Sequence, residues 1–109
     1  MPASADLLQG TLDLLILKTL QLGPLHGWGI SKRVAELSDE ALQVQQGSLY
    51  PALYRLEDKG WIDGTSGEAP NGRKVKFYRL TPEGKKALAE ARANWRAFSA
   101  AMELVLRRT

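Results

Sequence analysis

The sequence predicts a mainly α fold with a β-hairpin: three helices, the hairpin, then one long helix. Three observations predict it. Apolar residues recur at helical spacing up to Gly60, interrupted by the helix-stop pair Gly23-Pro24. The period then changes to that of strands on either side of the turn dipeptide Asn71-Gly72. After Thr81-Pro82-Glu83, a helix-opening triplet, apolar residues repeat at heptad spacing almost to the last residue. Three helices followed by a hairpin are the winged helix-turn-helix arrangement, and the terminal helix is an addition to it. The expected division is a winged helix-turn-helix over residues 1–80 and a C-terminal dimerisation helix over residues 81–109, built as a single structural unit.

The first helix is expected over residues 7–22. Leu8, Leu12, Leu15, Ile16 and Leu20 lie on one side, with Leu7, Leu14 and Leu17 spread around the rest. A helix apolar on more than one face must be covered on more than one face, and in so small a chain the second cover is expected from another subunit. The second helix, residues 27–37, places Ile30, Val34 and Leu37 at core spacing. The third, residues 47–59, is closed by Gly60, and Pro51 keeps its start from lying much before Gly47. Strands are expected over residues 61–65 and 74–80. In the last helix, residues 82–106, Thr81 caps, Pro82 presets the first φ, and Glu83 sits at the positive end of the dipole.

Composition bounds the chemistry. At 109 residues with 44% apolar and 25% charged, the chain is sized for one core. It has no cysteine, and His26 is its one histidine, which excludes a thiol nucleophile, sulfur-ligated zinc and a two-histidine relay. No acid pair, nucleophile with base or phosphate loop stands out, so neither an enzyme nor a cofactor or metal is expected. The longest apolar run, residues 14–17, falls far short of the ~20 residues that span a bilayer. No basic segment precedes it, so a cytoplasmic protein without a membrane partner is the expectation. The net charge of +3 is unevenly placed: residues 1–69 hold 5 Lys and Arg against 9 acids, residues 70–109 hold 10 against 3. Such a split suits a region laid on a polyanion, although a charge run is also an ordinary solvated face.

The third helix is the expected reader of that polyanion. Steps of 100° gather Leu49, Leu53 and Leu56 on its core side and Gly47, Ser48, Pro51, Tyr54, Arg55 and Asp58 opposite, with Tyr50 on the flank. The first turns of the outward face are small, hydroxylated and aromatic, with no acid to repel phosphate. Ser48, Tyr50 and Tyr54 can donate to phosphate or base edges, and Arg55 can reach the backbone or a guanine. The alternative for the two tyrosines is packing against the wing or a neighbouring helix. Arg73, Lys74 and Lys76 follow the turn and can neutralise phosphates or enter a minor groove; their alternative is a charged strand edge guarded against aggregation. His26, just before the second helix, reads as a capping or packing residue.

Leu88, Ala91, Trp95, Phe98, Met102 and Val105 form the heptad seam. A helix of ~37 Å finds no other surface in so small a domain, so it is expected to pair with a second copy, against its equivalent or against the first helix with Leu8, Leu12 and Leu15. Two copies of Trp95, with Phe98, can form a slot for a planar apolar effector, or simply fill the interface.

These stretches resemble the PadR family of bacterial transcriptional regulators. The matching residues are Gln9-Gly10-Thr11-Leu12 and Leu25-His26-Gly27-Trp28, the block over residues 47–62, Gly72-Arg73-Lys74, and Phe77-Tyr78-Arg79-Leu80-Thr81 with Glu83-Gly84. The resemblance spans residues 7–106 and is closest to the short-tailed branch with a single C-terminal helix. It implies a homodimeric repressor that binds a palindromic double-stranded DNA operator through Ser48, Tyr50, Pro51, Tyr54, Arg73, Lys74 and Lys76, relieved by a small apolar or aromatic molecule. Trp28 and Gly29 stand where the family carries tyrosine and a polar residue. From another class, the competing expectation is a winged-helix module that binds protein and no DNA.

Overall fold

The structure, a computed structural model, describes residues 5–108, with side chains from Gly10 onward. The elements run α1 (Ala5–Gln21), β1 (Leu25–His26), α2 (Gly27–Leu37), α3 (Gln46–Asp58), β2 (Ile62–Glu68), β3 (Lys74–Leu80) and α4 (Pro82–Leu106). The three strands form one antiparallel sheet in the order β1-β3-β2. This is the mainly helical winged fold with its long terminal helix.

Helix α1 lies at the centre because it is apolar most of the way round. Ile16, Leu17 and Leu20 are buried against α2, α3, β3 and the start of α4. Thr19, buried among them, donates its hydroxyl to the Leu15 carbonyl at 2.7 Å, which spares an unpaired polar group in the core. The chain's own elements therefore cover Leu17 as well as Ile16 and Leu20, while Leu12, Leu14 and Leu15 stay half-buried. Leu17, placed by periodicity off the main apolar side, is part of the core. Leu12 packs against the core from a partly buried position and Leu15 is half-buried. Leu8 lies outside the residues whose side chains are described.

Helix α2 opens where His26 Nδ1 accepts the Gly29 N–H at 2.8 Å, so His26 is the cap. The same residue forms β1 with Leu25, a strand the sequence pattern does not announce, pairing Leu25 with Tyr78 and His26 with Phe77. Ile30 and Val34 are buried as expected. Leu37 is not: it is 59% exposed at the very end of α2, after Val34 and Ala35 have made the last buried contacts of the helix. Helix α3 starts at Gln46, and Leu49, Ala52, Leu53 and Leu56 form its buried side. Pro51 falls one turn further into the helix than a start position, leaving the Gly47 carbonyl without an intrahelical donor on the exposed face.

The hairpin is longer than expected. β2 continues to Glu68, whose Cα pairs with that of Lys74, and the tip turns at Gly72 with φ +84. Such a left-handed backbone is what the Asn71-Gly72 pair supplies. Below the wing, Thr81 clasps β2 to α4. Its N–H donates to the Trp61 carbonyl at 3.0 Å, its hydroxyl donates to the Gly60 carbonyl at 2.6 Å, and the same oxygen accepts the Gly84 N–H at 3.0 Å. Thr81→Ala removes cap and clasp together and is expected to lower stability by about 1 kcal/mol, read as a reduced urea midpoint with an unchanged m-value.

Helix α4 divides into two parts. Gly84 and Leu88 are buried on the domain, and Leu88, at 5% exposure, belongs to the core rather than to a seam left open for a partner. Beyond them no residue of the helix is buried, and the molecule measures 56 × 28 × 24 Å. Ala91 is half-buried, while Trp95, Phe98, Met102 and Val105 are exposed on the single chain.

Candidate DNA interface

The sheet and helices bring the start of α2, the first half of α3 and the wing tip around one cleft of about 350 Å³. Tyr50, Arg73, Lys74 and Lys76 line it, as does Trp28. Helix α3 reaches the cleft through Tyr50, and the start of the helix is unblocked. Gln45, its cap residue, makes no side-chain bond to the first turn, and no acid occupies that turn. The Ser48 N–H donates to the Gln45 carbonyl at 3.0 Å, which leaves the Gln46 and Gly47 N–H groups at the positive end of the helix dipole.

Ser48 and Pro51 are exposed on the outward face, and Tyr54 stands furthest into solvent at 73% exposure. Tyr50 combines both readings left open by the sequence. It is partly exposed, yet its ring lies against Gly27 at the start of α2, where an added Cβ would sit 2.7 Å from the phenolic oxygen. A glycine at 27 therefore holds α2 and α3 close together.

The cations divide by what they touch. Arg73 and Lys74 flank the tip with no ion-pair partner among the described residues. Lys76 turns back along the sheet. Its Nζ lies 2.9 Å from Glu57 Oε1 on α3 and over the Tyr78 ring at 5.5 Å. The bond from Glu57 holds the ammonium above the ordinary lysine value, so Lys76 is charged but already paired, unlike the projecting cation expected from its place after the turn. Arg55 departs further. Its guanidinium meets Asp13 Oδ1 on α1 at 2.8 Å instead of standing out with Ser48 and Tyr54. A long side chain can leave the face its Cα occupies, which a helical wheel does not register.

Trp28 is the residue the sequence signalled least. It is 61% exposed at the rim of the cleft, with Lys32 Nζ over its ring at 5.2 Å. An exposed indole at a helix start, supported by a cation one turn on, is the signal that could have marked it.

A second cleft, of about 280 Å³, opens between α1 and α4, lined by Gly10, Thr11, Leu14, Ala91, Asn94, Trp95 and Phe98. Trp95 and Phe98 meet there with ring centres 6.1 Å apart. Among the described residues, no group of three or more His, Asp or Glu side chains is placed to hold a metal ion. No described helix is long and apolar enough to cross a membrane.

A three-helix domain with a basic-tipped wing and a third helix free of acid at its start has the form of the winged helix-turn-helix class of DNA-binding proteins. Comparison with known proteins carries the assignment further. The sequence profile of the Transcriptional regulator PadR-like family matches residues 16–90. A protein of Lysinibacillus sphaericus is 32% identical over 91 residues, covering 84% of each chain. A transcriptional regulator of Mycobacterium tuberculosis is 42% identical over 68 residues, covering 62% of this chain and 60% of its own. The structure of a transcriptional regulator from Clostridium thermocellum superposes with a TM-score of 0.80 at 31% identity, covering 94% of this chain and 96% of that one. The chain belongs to the PadR-like family of transcriptional regulators.

Proposed function

We propose that the chain acts as a homodimer on a two-fold symmetric operator and represses transcription from it, residues 1–80 reading the DNA and residues 81–109 joining the copies. The observation that carries this reading is the tail. Past Leu88 no residue of α4 is buried: Trp95 and Phe98 rim the cleft beside α1 at 44% and 38% exposure, and Met102 and Val105 follow at 44% and 70%. A contiguous apolar stripe of that length marks an association surface. Leu12 and Leu15 on α1 flank the side from which a partner's α4 would approach. Two-fold pairing sets two α3 helices about one DNA turn, ~34 Å, apart.

On each half-site, Ser48, Tyr50, Pro51 and Tyr54 enter the major groove, and the open N–H groups of α3 take a phosphate. Arg73 and Lys74 meet the backbone beside it, and Lys76 exchanges Glu57 for phosphate on binding. Trp95 and Phe98 line the cleft between α1 and α4, where a flat apolar or aromatic effector relieves repression by shifting the two helices. Quenching of tryptophan fluorescence by planar aromatic cations supports that site, and its absence speaks against it.

Gel shifts on the DNA upstream of the gene, at two salt concentrations, test the DNA reading. With about three phosphate contacts per subunit, the log–log salt slope of the dimer is expected near −5. A wild-type chain whose binding ignores salt would instead be a protein-binding module. Tyr54→Ala, removing the most exposed aromatic of the reading face, is expected to cost 10- to 100-fold in operator affinity, by the ~1–3 kcal/mol scale of a lost base contact.

A further inference from the structure

Arg55 joins two elements that the fold uses for different purposes. It belongs to the last turns of α3, whose first turns face the DNA cleft, and its partner Asp13 belongs to α1. The 2.8 Å contact spans 42 residues of sequence, and the Asp13 side chain keeps only 14% of its surface. The residues around Asp13 matter as much as the pair. Gly10 and Leu14, on the same helix, line the cleft that holds Trp95 and Phe98. Asp13 itself lines an adjoining cleft of about 400 Å³ that shares Gly10, Ala91 and Asn94 with the first. Any rotation or shift of α1 against α4 therefore moves the Asp13 carboxylate, and through it the base of the reading helix.

We infer that the Asp13–Arg55 pair is a positioning device for DNA reading: it sets how α3 stands relative to α1 and carries changes at the α1–α4 cleft to the reading helix. The inference rests on α3 being the helix that meets DNA. A guanidinium N–H donating to a carboxylate oxygen fixes direction as well as distance, which a hydrophobic contact does not. Arg55 then acts through the placement of Ser48, Tyr50 and Tyr54, without a phosphate of its own. Burial pushes the Asp13 carboxyl above its ordinary value, with Arg55 and Lys59 pulling the other way. Asp13→Asn keeps the shape of the side chain, giving up the ion pair but also the burial of a charge, and is expected to fold, as a thermal melt reads.

The test is a set of operator titrations over several salt concentrations on Asp13→Asn, Arg55→Gln, the double variant and Asp13→Glu, with a random duplex in parallel. Each of the first two is expected to lose operator affinity about tenfold, the scale on which linking residues modulate coupling. The double variant loses no more than the larger of the two single losses, because both break the same link. Salt slopes and random-duplex binding stay as in the wild type, and Asp13→Glu, which restores the carboxylate, recovers most of the loss. Arg55→Lys, which keeps the charge without the guanidinium, falls with the broken variants. Asp13→Asn is the decisive arm, since removal of an acid would by charge alone tighten binding to a polyanion. Operator affinity of Asp13→Asn at or above wild type overturns the link. So does an Arg55→Gln salt slope flatter by about 2, which marks one phosphate contact per subunit. A wild-type chain that shifts no duplex at all overturns the DNA reading and the link with it.

Discussion

Placing glutamate at both Trp95 and Met102 is expected to dissociate the dimer and lower operator affinity by 100-fold or more. Both side chains are exposed on the single chain, so the substitutions leave the core of Ile16, Leu17, Leu53 and Leu56 untouched and the subunit folded. In a dimer they would bury two carboxylates per copy in an apolar seam, at a cost of several kcal/mol each. The consequence for DNA is larger than any single lost contact. Two joined reading heads bind the second half-site as an intramolecular event, an advantage of about 10²–10⁴ that a monomer forfeits. Sedimentation together with gel shifts reads both effects on one sample. A variant that stays dimeric, or a monomeric variant that keeps full operator affinity, contradicts the proposed use of α4.

Gly84→Ala is expected to be the most destabilising single methyl addition in the described chain. Gly84 is buried at the start of α4, and a Cβ there would overlap the Trp61 carbonyl oxygen. That oxygen is held by the Thr81 N–H, and the Leu80 side chain closes the other side at 2.8 Å from the added carbon. Neither neighbour can retreat without opening the clasp between β2 and α4. Overpacking against backbone of this kind costs about 3 kcal/mol, near 15 °C in melting temperature for a domain of this size. The same change at Gly47 has the opposite expectation. Nothing lies within 4 Å of its added Cβ and Gly47 sits within α3, so Gly47→Ala should match or exceed wild-type stability by up to ~1 kcal/mol. Thermal melts of the two variants side by side check the pair, and equal melting temperatures would remove the steric account of Gly84.

The boundaries of α2, β3 and α4 were legible because local chemistry marks them. Thr81-Pro82-Glu83 is a helix start whatever surrounds it, and Asn71-Gly72 turns a hairpin by itself. Packing was legible as faces but not as extents. Spacing shows that Leu88 and Trp95 share a stripe, yet not that one packs into the core while the other only rims the cleft beside α1. Leu37 fails for the same reason at the end of α2. β1 is two residues long, and its pairing with Tyr78 and Phe77 has no local signature. In the candidate site, the exposure of Ser48, Pro51 and Tyr54 on α3 and the basic wing tip followed from residue type and period. The placements of Arg55 and Lys76 did not, because each depends on a neighbour distant in sequence, Asp13 and Glu57.

The measurement that bears most directly on the account is the mass of the chain in solution at micromolar concentration by light scattering, free and bound to a duplex carrying its operator. The account predicts twice 12.0 kDa in both states, with protection of two half-sites about one helical turn apart. A folded species of 12.0 kDa that stays single on DNA and protects one half-site would contradict it.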